Sequence, residues 1–240
     1  MPILMLRRRQ ELGGSGRPVR SAFHGTPRGC ESRSEQLERN ELHMEVSLSR
    51  HPIPYQLPLG SDGYERIVAD GTIASKQLLV FLSHDVYDFI RAQSREYAPQ
   101  EIGGVLLGQY CIDNDTKFVI VPTAVACDLG SATPVSIQFP PEFWQQVEEV
   151  HTSEFPGLLR IGPYHSHPGY GVNPSGTDHA TILGAFSKPH HISLIYDPHA
   201  DQIGYTCWDD GALKPPSGCF VYEHREPEDL VKQLMDARPD

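Results

Sequence analysis

The chain has 240 residues, of which 39% are hydrophobic and 21% are charged, and its formal net charge is −11 at pH 7. This is the composition of a soluble globular protein with enough apolar residues for a sizeable core. No apolar run approaches the roughly 18 residues that a membrane-spanning helix needs. Because an acidic surface is repelled by phosphates, the charge also disfavours nucleic acid. We therefore expect neither nucleic acid nor a membrane as a partner.

The charge is unevenly distributed along the chain. Residues 1–50 contain nine Arg and six Glu, a net of +3, so residues 51–240 carry −14. The first segment has few aromatic residues and little periodicity, and we expect it to be a disordered leader. Residues 51–74 are rich in proline, which predicts an extended linker. Residues 75–225 are expected to form the folded domain, with a C-terminal helix or tail over residues 226–240.

Five cysteines are widely spaced and form no C-x-x-C pair: Cys30, Cys111, Cys127, Cys207 and Cys219. An odd number at such spacings indicates neither a disulfide framework nor a structural zinc finger. A reducing cytoplasm is therefore the expected location.

Hydrophobic periodicity predicts strands and helices in mixed order over the first half of the domain. Ser83 follows an apolar run as an N-cap, and Pro99 ends the helix that begins there. Asp113-Asn114-Asp115 indicates a hairpin turn. The predicted elements are a strand over 77–82, a helix over 85–97, strands over 102–110, 117–126 and 135–139, and a helix that starts at Pro140-Pro141.

The second half continues this mixed order. The predicted elements are a strand over 158–164, a short helix over 179–187, strands over 191–196 and 202–208, and a helix over 226–238. Pro163 lacks a backbone donor in a strand that should be internal, which puts its local pairing in question. The order of elements predicts an α/β fold, a three-layer α-β-α sandwich around a mixed, largely antiparallel sheet.

The segment from Tyr164 to Asp178 is rich in side chains that bind metals. His165 and His167 are two residues apart, so in an extended segment their rings point to the same face. Asp178 would arrive at the start of the following helix as a third ligand. Two nitrogens and a carboxylate oxygen suit Zn²⁺, and three protein ligands with a fourth position for water are typical of catalytic sites. The pattern predicts a hydrolytic zinc site.

The same segment, His165-Ser166-His167-Pro168 followed by six residues, Ser175, two residues and Asp178, matches the H-x-H-P-x(6)-S-x-x-D signature of the JAMM (MPN+) metalloproteases. Glu101 opens an upstream match to the pattern E-x-x-G-x-L-x-G, 64 positions before His165. The chain thus resembles, over about residues 75–222, a family of zinc isopeptidases. That family includes deubiquitinases and prokaryotic enzymes that act on ubiquitin-like proteins.

This resemblance implies an MPN/JAB fold related to cytidine deaminases, with one Zn²⁺ per chain held by His165, His167 and Asp178. It implies that Glu101 is the general base for a zinc-bound water nucleophile and that Ser175 donates to the oxyanion. The implied reaction is hydrolysis of the amide bond after the C-terminus of ubiquitin or a ubiquitin-like protein. Such a protein or its conjugate is the expected partner, and a need for an activating protein partner stays open.

Several alternatives stay open. Ser175 could instead be the N-cap of the helix that carries Asp178. His179, His190, His191 and His199 could be further ligands, although hydrogen-bonded or exposed histidines are commoner. A non-catalytic MPN-type scaffold, or a JAMM peptidase with a substrate that is not ubiquitin-like, are the alternative functions. Nucleobase deaminases need H-x-E with P-C-x-x-C, and thermolysin-like proteases need H-E-x-x-H; the sequence has neither pattern.

Overall fold

The computed structural model describes residues 51–71, 77–127 and 139–237, together with the short strands Leu4–Met5, Ala132–Thr133 and Ser136–Ile137. Apart from Leu4–Met5, the leader that was predicted to be disordered lies outside these residues. Among the described residues, no helix combines the length and the apolar character that crossing a membrane requires.

The described residues form thirteen strands and four helices. The strands are β1 (Leu4–Met5), β2 (Ile53–Pro54), β3 (Tyr64–Gly71), β4 (Leu79–Ser83), β5 (Gly103–Asp113), β6 (Thr116–Ala126), β7 (Ala132–Thr133), β8 (Ser136–Ile137), β9 (Leu159–Ser166), β10 (Ile192–Asp197), β11 (Gln202–Asp209), β12 (Ala212–Lys214) and β13 (Gly218–His224). The helices are α1 (His84–Tyr97), α2 (Pro141–Glu154), α3 (Gly176–Ala185) and α4 (Pro227–Asp236).

One large sheet organises the domain. Its main path runs β12-β11-β10-β9-β5-β6-β4-β13-β3, while β1 pairs with β6 and β2 pairs with β5 beside that path. Among the described strands, five of the eight pairings along the path are antiparallel and three are parallel. The prediction of a mixed, largely antiparallel sheet is therefore confirmed.

Helices cover both faces of this sheet. In β4, Leu79 and Phe81 pack into one apolar cluster and Val80 and Leu82 into another, because alternate side chains of a strand point to opposite faces. The first cluster includes the apolar faces of α2 and α4, and the second includes that of α1. A strand that is covered on both faces reads as a continuous apolar run. The predicted three-layer sandwich is thus confirmed.

The segment that was predicted to be a linker contributes strands β2 and β3 to the sheet. Ile53 is buried in the core, the Tyr55 amide donates to the Ile112 carbonyl at 3.0 Å, and the Leu57 amide donates to Asp113 Oδ2 at 2.8 Å. The prolines favour extended backbone, and the residues between them supply the donors that pair with β5 and the hairpin turn.

The predicted element boundaries are close to the observed ones in most of the domain. The helix α3 begins three residues before the predicted start, because Ser175 caps it. Of the strand predicted over 135–139, Ser136–Ile137 form β8, and residues 135 and 138 lie outside the described residues. The strands β3, β12 and β13 were not predicted, and β13 lies between β4 and β3 in the sheet.

The strand β9 stays internal despite Pro163. It pairs with β5 on one side, with a register shift between Leu106 and Leu107. On its other side the parallel pairing with β10 runs from Tyr164 to Ser166, so Pro163 precedes it. At Gly162, a Cβ atom would overlap the Ile192 carbonyl oxygen. The end of β9 that leads into the segment from His165 to Asp178 is therefore paired on both sides.

Candidate metal centre

Two histidines converge at the end of β9. His165 is the penultimate residue of the strand and His167 follows it directly. Their Nε2 atoms are 2.9 Å apart, and both side chains are buried. The His167 amide donates to the Tyr196 carbonyl at 2.9 Å, which extends the contact with β10 beyond the strand. The prediction that the two rings point to one face is confirmed.

The helix α3 brings a carboxylate to these rings. Ser175 and Asp178 form a capping box, in which Asp178 N donates to Ser175 Oγ at 3.3 Å and Ser175 N donates to Asp178 Oδ2 at 2.6 Å. These bonds fix Asp178 in the first turn. Its Oδ1 lies 3.1 Å from His165 Nε2, and its Oδ2 lies 3.4 Å from His167 Nε2.

The electrostatics of this group favour a bound cation. Burial opposes the ionised form of Asp178, but hydrogen bonds with His165, His167 and Ser175 hold the pKa of its carboxyl well below its usual range. Burial alone would lower the pKa of His167. Its hydrogen bond to Asp178 and the negative charges of Asp178 and Glu101 outweigh burial, so this pKa is raised. An environment that stabilises a proton between these atoms also stabilises a metal cation there.

The donor set fits a zinc ion. Zinc binds histidine nitrogen and carboxylate oxygen at about 2.0–2.2 Å, so two ligand atoms of one tetrahedral ion lie roughly 3.3 Å apart. The separations of 2.9, 3.1 and 3.4 Å in this group are close to that value. These three residues, here called the ligand group, are the only set of three or more His, Cys, Asp or Glu among the described residues whose ligand atoms all lie within 4.8 Å of one another.

Glu101 is held beside this group by the pairing of β5 with β9. It lies two residues before β5 and is only 5% exposed. The next residue, Ile102, donates its amide to Ser166 Oγ at 2.9 Å and accepts from the Ser166 amide at 2.8 Å. Gly103 then lies opposite His165 in the register. The negative charge of Glu101 contributes to the raised pKa of His167, so its carboxylate lies within electrostatic range of that ring.

Asp197, at the end of β10, was not identified from the sequence. It is 3% exposed, and its Oδ1 accepts from the amides of Gly169, His199 and Ala200 at 2.9, 2.9 and 3.3 Å. Its Oδ2 accepts from the Gly171 amide at 2.9 Å. Burial disfavours the charge, but these four bonds outweigh it and lower the pKa of Asp197. An acidic residue that ends a buried strand was the signal available in the sequence.

The other histidines lie outside the ligand group. His179 Nδ1 is 2.9 Å from the Ser175 carbonyl oxygen, and His199 is exposed. His190 and His191 are buried, with ring centroids 4.5 Å apart. The interpretation of these residues as ordinary hydrogen-bonded or packed histidines is consistent with these contacts.

The chain is similar to a known protein family and to a characterised protein. Residues 83–209 match the family described as prokaryotic homologs of the JAB domain, and these are 127 of the 240 residues. COP9 signalosome complex subunit 5 from Eremothecium gossypii is 30% identical over 115 residues, which cover 48% of this chain and 26% of that protein. The chain therefore matches about a quarter of that relative's length.

A solution structure of a protein from Desulfitobacterium hafniense is also similar. It has 21% sequence identity and a TM-score of 0.44, and the match covers 62% of this chain and 97% of that one. The family match includes Ser83 at the start of α1, the hairpin of β5 and β6, all three members of the ligand group, and β11. The chain belongs to the family of prokaryotic homologs of the JAB domain.

Proposed function

We propose that this protein is a zinc-dependent isopeptidase or peptidase that cleaves the amide bond after the C-terminus of ubiquitin or a ubiquitin-like protein. The observation that carries the proposal is the convergence of His165, His167 and Asp178, with the buried carboxylate of Glu101 held beside them. A hydrolytic zinc site needs three protein ligands and an adjacent carboxylate that does not bind the metal.

Each residue has a distinct role in this proposal. His165, His167 and Asp178 hold one zinc ion, which when bound lowers the pKa of a coordinated water and polarises a carbonyl group. Glu101 accepts a proton at its carboxylate and returns it to the leaving amine. Ser175, at the exposed N-terminus of α3, donates a hydrogen bond to the oxyanion. The buried histidines and the capping box keep the ligand atoms in place before substrate binds.

The substrate class rests on two resemblances. The H-x-H-P-x(6)-S-x-x-D signature is that of isopeptidases that act on ubiquitin-like proteins. The relative from Eremothecium gossypii is named as a subunit of a complex, so an activating protein partner is part of the proposal. A cytoplasmic location is proposed because the five cysteines are odd in number, widely spaced and form no C-x-x-C pair.

The test compares wild type with Glu101→Gln, and Glu96→Gln on the exposed side of α1 is the matched control. Zinc content is measured by metal analysis, and turnover on a panel of ubiquitin-like proteins with an amide-linked C-terminal reporter. We expect about one zinc per chain in all three proteins, because Glu101 is not a ligand. We expect Glu101→Gln to lose about 10²–10⁴-fold in turnover, and Glu96→Gln to match wild type.

Two results would contradict the proposal. Full turnover by Glu101→Gln would remove the assigned base. Wild-type protein that holds zinc but cleaves no member of the panel, with or without cell extract as a source of partners, would indicate a binding module instead. If the protein cleaved only unrelated peptides, the proposed zinc chemistry would stand, but the proposed substrate class would be wrong.

A further inference from the structure

The loop that comes after His167 folds around the carboxylate of Asp197. Both oxygens of that carboxylate are used, and the four amides they bind come from two segments, Gly169 and Gly171 on one side and His199 and Ala200 on the other. An ionised carboxylate offers about four acceptor sites, and this one accepts four backbone donors, three at Oδ1 and one at Oδ2. Hydrogen bonds to an ionised acceptor are also about twice as strong as neutral ones.

The two glycines of this loop need such support. Gly169 and Gly171 have φ angles of 84° and 74°, in the left-handed region that other residues rarely adopt. Glycine is the residue with the most backbone freedom, so a segment with two of them is ordered only by specific contacts. Here the contacts come from Asp197, which lies 28 positions after Gly169 and 26 positions after Gly171.

The strand β10 thus holds the metal-binding segment at two adjacent residues. The Tyr196 carbonyl accepts from the amide of His167, and the Asp197 carboxylate accepts from the amides two and four residues later. His167 is therefore fixed on both sides of its Cα atom, by β9 before it and by Asp197 after it. This loop is also the first part of the segment that connects His167 to Asp178.

We propose that Asp197 is a positioning residue for the metal centre. It orders the loop after His167, so the imidazole of His167 is already next to the other two ligands before zinc binds. This inference rests on the proposed zinc function. Asp197 neither contacts the metal nor takes part in proton transfer. Because its carboxylate orders the loop in advance, the protein loses less conformational entropy when zinc binds.

The neighbouring carboxylate in the same turn offers a matched control. Asp201 ends the turn that Asp197 begins, but it faces α1, where it pairs with Arg91 and Arg95 at 2.9 Å and accepts from the Tyr196 hydroxyl at 2.7 Å. It is about half exposed. A substitution at Asp201 therefore weakens the turn without removing the bonds to the loop after His167. A substitution at Asp197 removes those bonds.

The experiment measures zinc affinity of the metal-free full chain by competition with a chelator, for wild type, Asp197→Asn and Asp201→Asn. Asparagine replaces one acceptor oxygen by an NH₂ group, which faces an amide donor and leaves at least the bond to Gly171 or those to Oδ1 unmade. We expect Asp197→Asn to bind zinc about 10–100-fold more weakly. Asp201→Asn should stay within about threefold of wild type, since exposed ion pairs contribute little.

Amide hydrogen exchange of Gly169 and Gly171 in the zinc-free proteins is the second measurement. We expect protection in wild type and Asp201→Asn, and faster exchange at these two amides in Asp197→Asn. Unchanged zinc affinity or unchanged exchange in Asp197→Asn would overturn the inference. If that variant does not fold, wild type alone decides, because unprotected amides at both glycines would overturn it. Wild-type protein that takes up no zinc would overturn the proposed function itself.

Discussion

At the scale of single residues, Ser175 carries two roles that are usually argued separately. Its Oγ caps α3 and helps to keep Asp178 ionised, so it supports the ligand group through the helix. The proposed function also asks its hydroxyl to donate to an oxyanion. Capping requires only an acceptor or a flexible backbone at this position, whereas oxyanion binding requires the donor. The two roles can therefore be separated by substitution.

Comparing Ser175→Gly with Ser175→Ala makes this separation. Glycine is a tolerable N-cap and should cost only a few tenths of a kcal/mol, whereas alanine should cost about 1 kcal/mol in urea unfolding. If Ser175 is the oxyanion donor, both variants lose about 10²–10³-fold in kcat although Ser175→Gly keeps its zinc. A Ser175→Gly variant with wild-type kcat would leave Ser175 as a cap alone.

At the scale of elements, the sequence predicted what local pattern determines. The apolar runs of β4, β5, β6, β9 and β10 and the cap at Ser83 are local signals, and the ligand group reflects the two-residue period of β9. The strand β13 was missed because its partners are remote: the Ser217 amide, just before it, donates to Leu78, 139 positions earlier. Asp197 was missed for the same reason. Its role depends on amides that only the tertiary fold brings to it.

At Gly162 the backbone of β9 lies close to Ile192 of β10, and this close approach yields a prediction at this scale. In Gly162→Ala the new Cβ would overlap the Ile192 carbonyl oxygen, which is backbone and cannot rotate away. We expect β10 to be displaced and the free energy of unfolding to fall by about 1–3 kcal/mol, as for overpacked cores.

Gly184→Ala is the control for this prediction. A Cβ there meets nothing within 4 Å, and the position lies in α3. Alanine in a helix should be neutral or stabilise the protein by up to about 1 kcal/mol. Urea unfolding of the two zinc-free variants measures both effects. Equal stability of Gly162→Ala and wild type would show that β9 and β10 are not tightly apposed.

At the scale of the whole molecule, the charge changes sign close to the position where the described core begins. The charge changes sign near residue 50, and the first buried side chain among the residues described from position 51 onward is Ile53. The prolines that suggested a linker lie within a segment that pairs with β5. The folded domain was predicted to begin at residue 75, whereas β2 and β3 lie before that position, because proline density does not reveal which amides between the prolines are paired.

Two deletions test this boundary. Removing residues 1–50 should leave zinc binding intact and change the free energy of unfolding by less than about 1 kcal/mol, since the described contact of this segment is the two-residue strand β1. Removing residues 1–60 should cost about 2–4 kcal/mol, because it also removes Ile53 from the core and the amides of Tyr55 and Leu57. Loss of folding on the shorter deletion would show that the leader is structural.

The reciprocal bonds between Ser166 and Ile102 have a consequence for the order in which the site assembles. The three proposed ligands lie within 14 positions of one another, whereas Ser166 and Ile102 close a loop of 64 residues. Contacts that close long loops form late in folding, because they carry the larger entropic cost. During synthesis the residues up to Glu101 also leave the ribosome well before the ligands do. We expect the chain to gain a metal-binding segment first and a proton acceptor only when β5 docks, so metal loading precedes chemical competence.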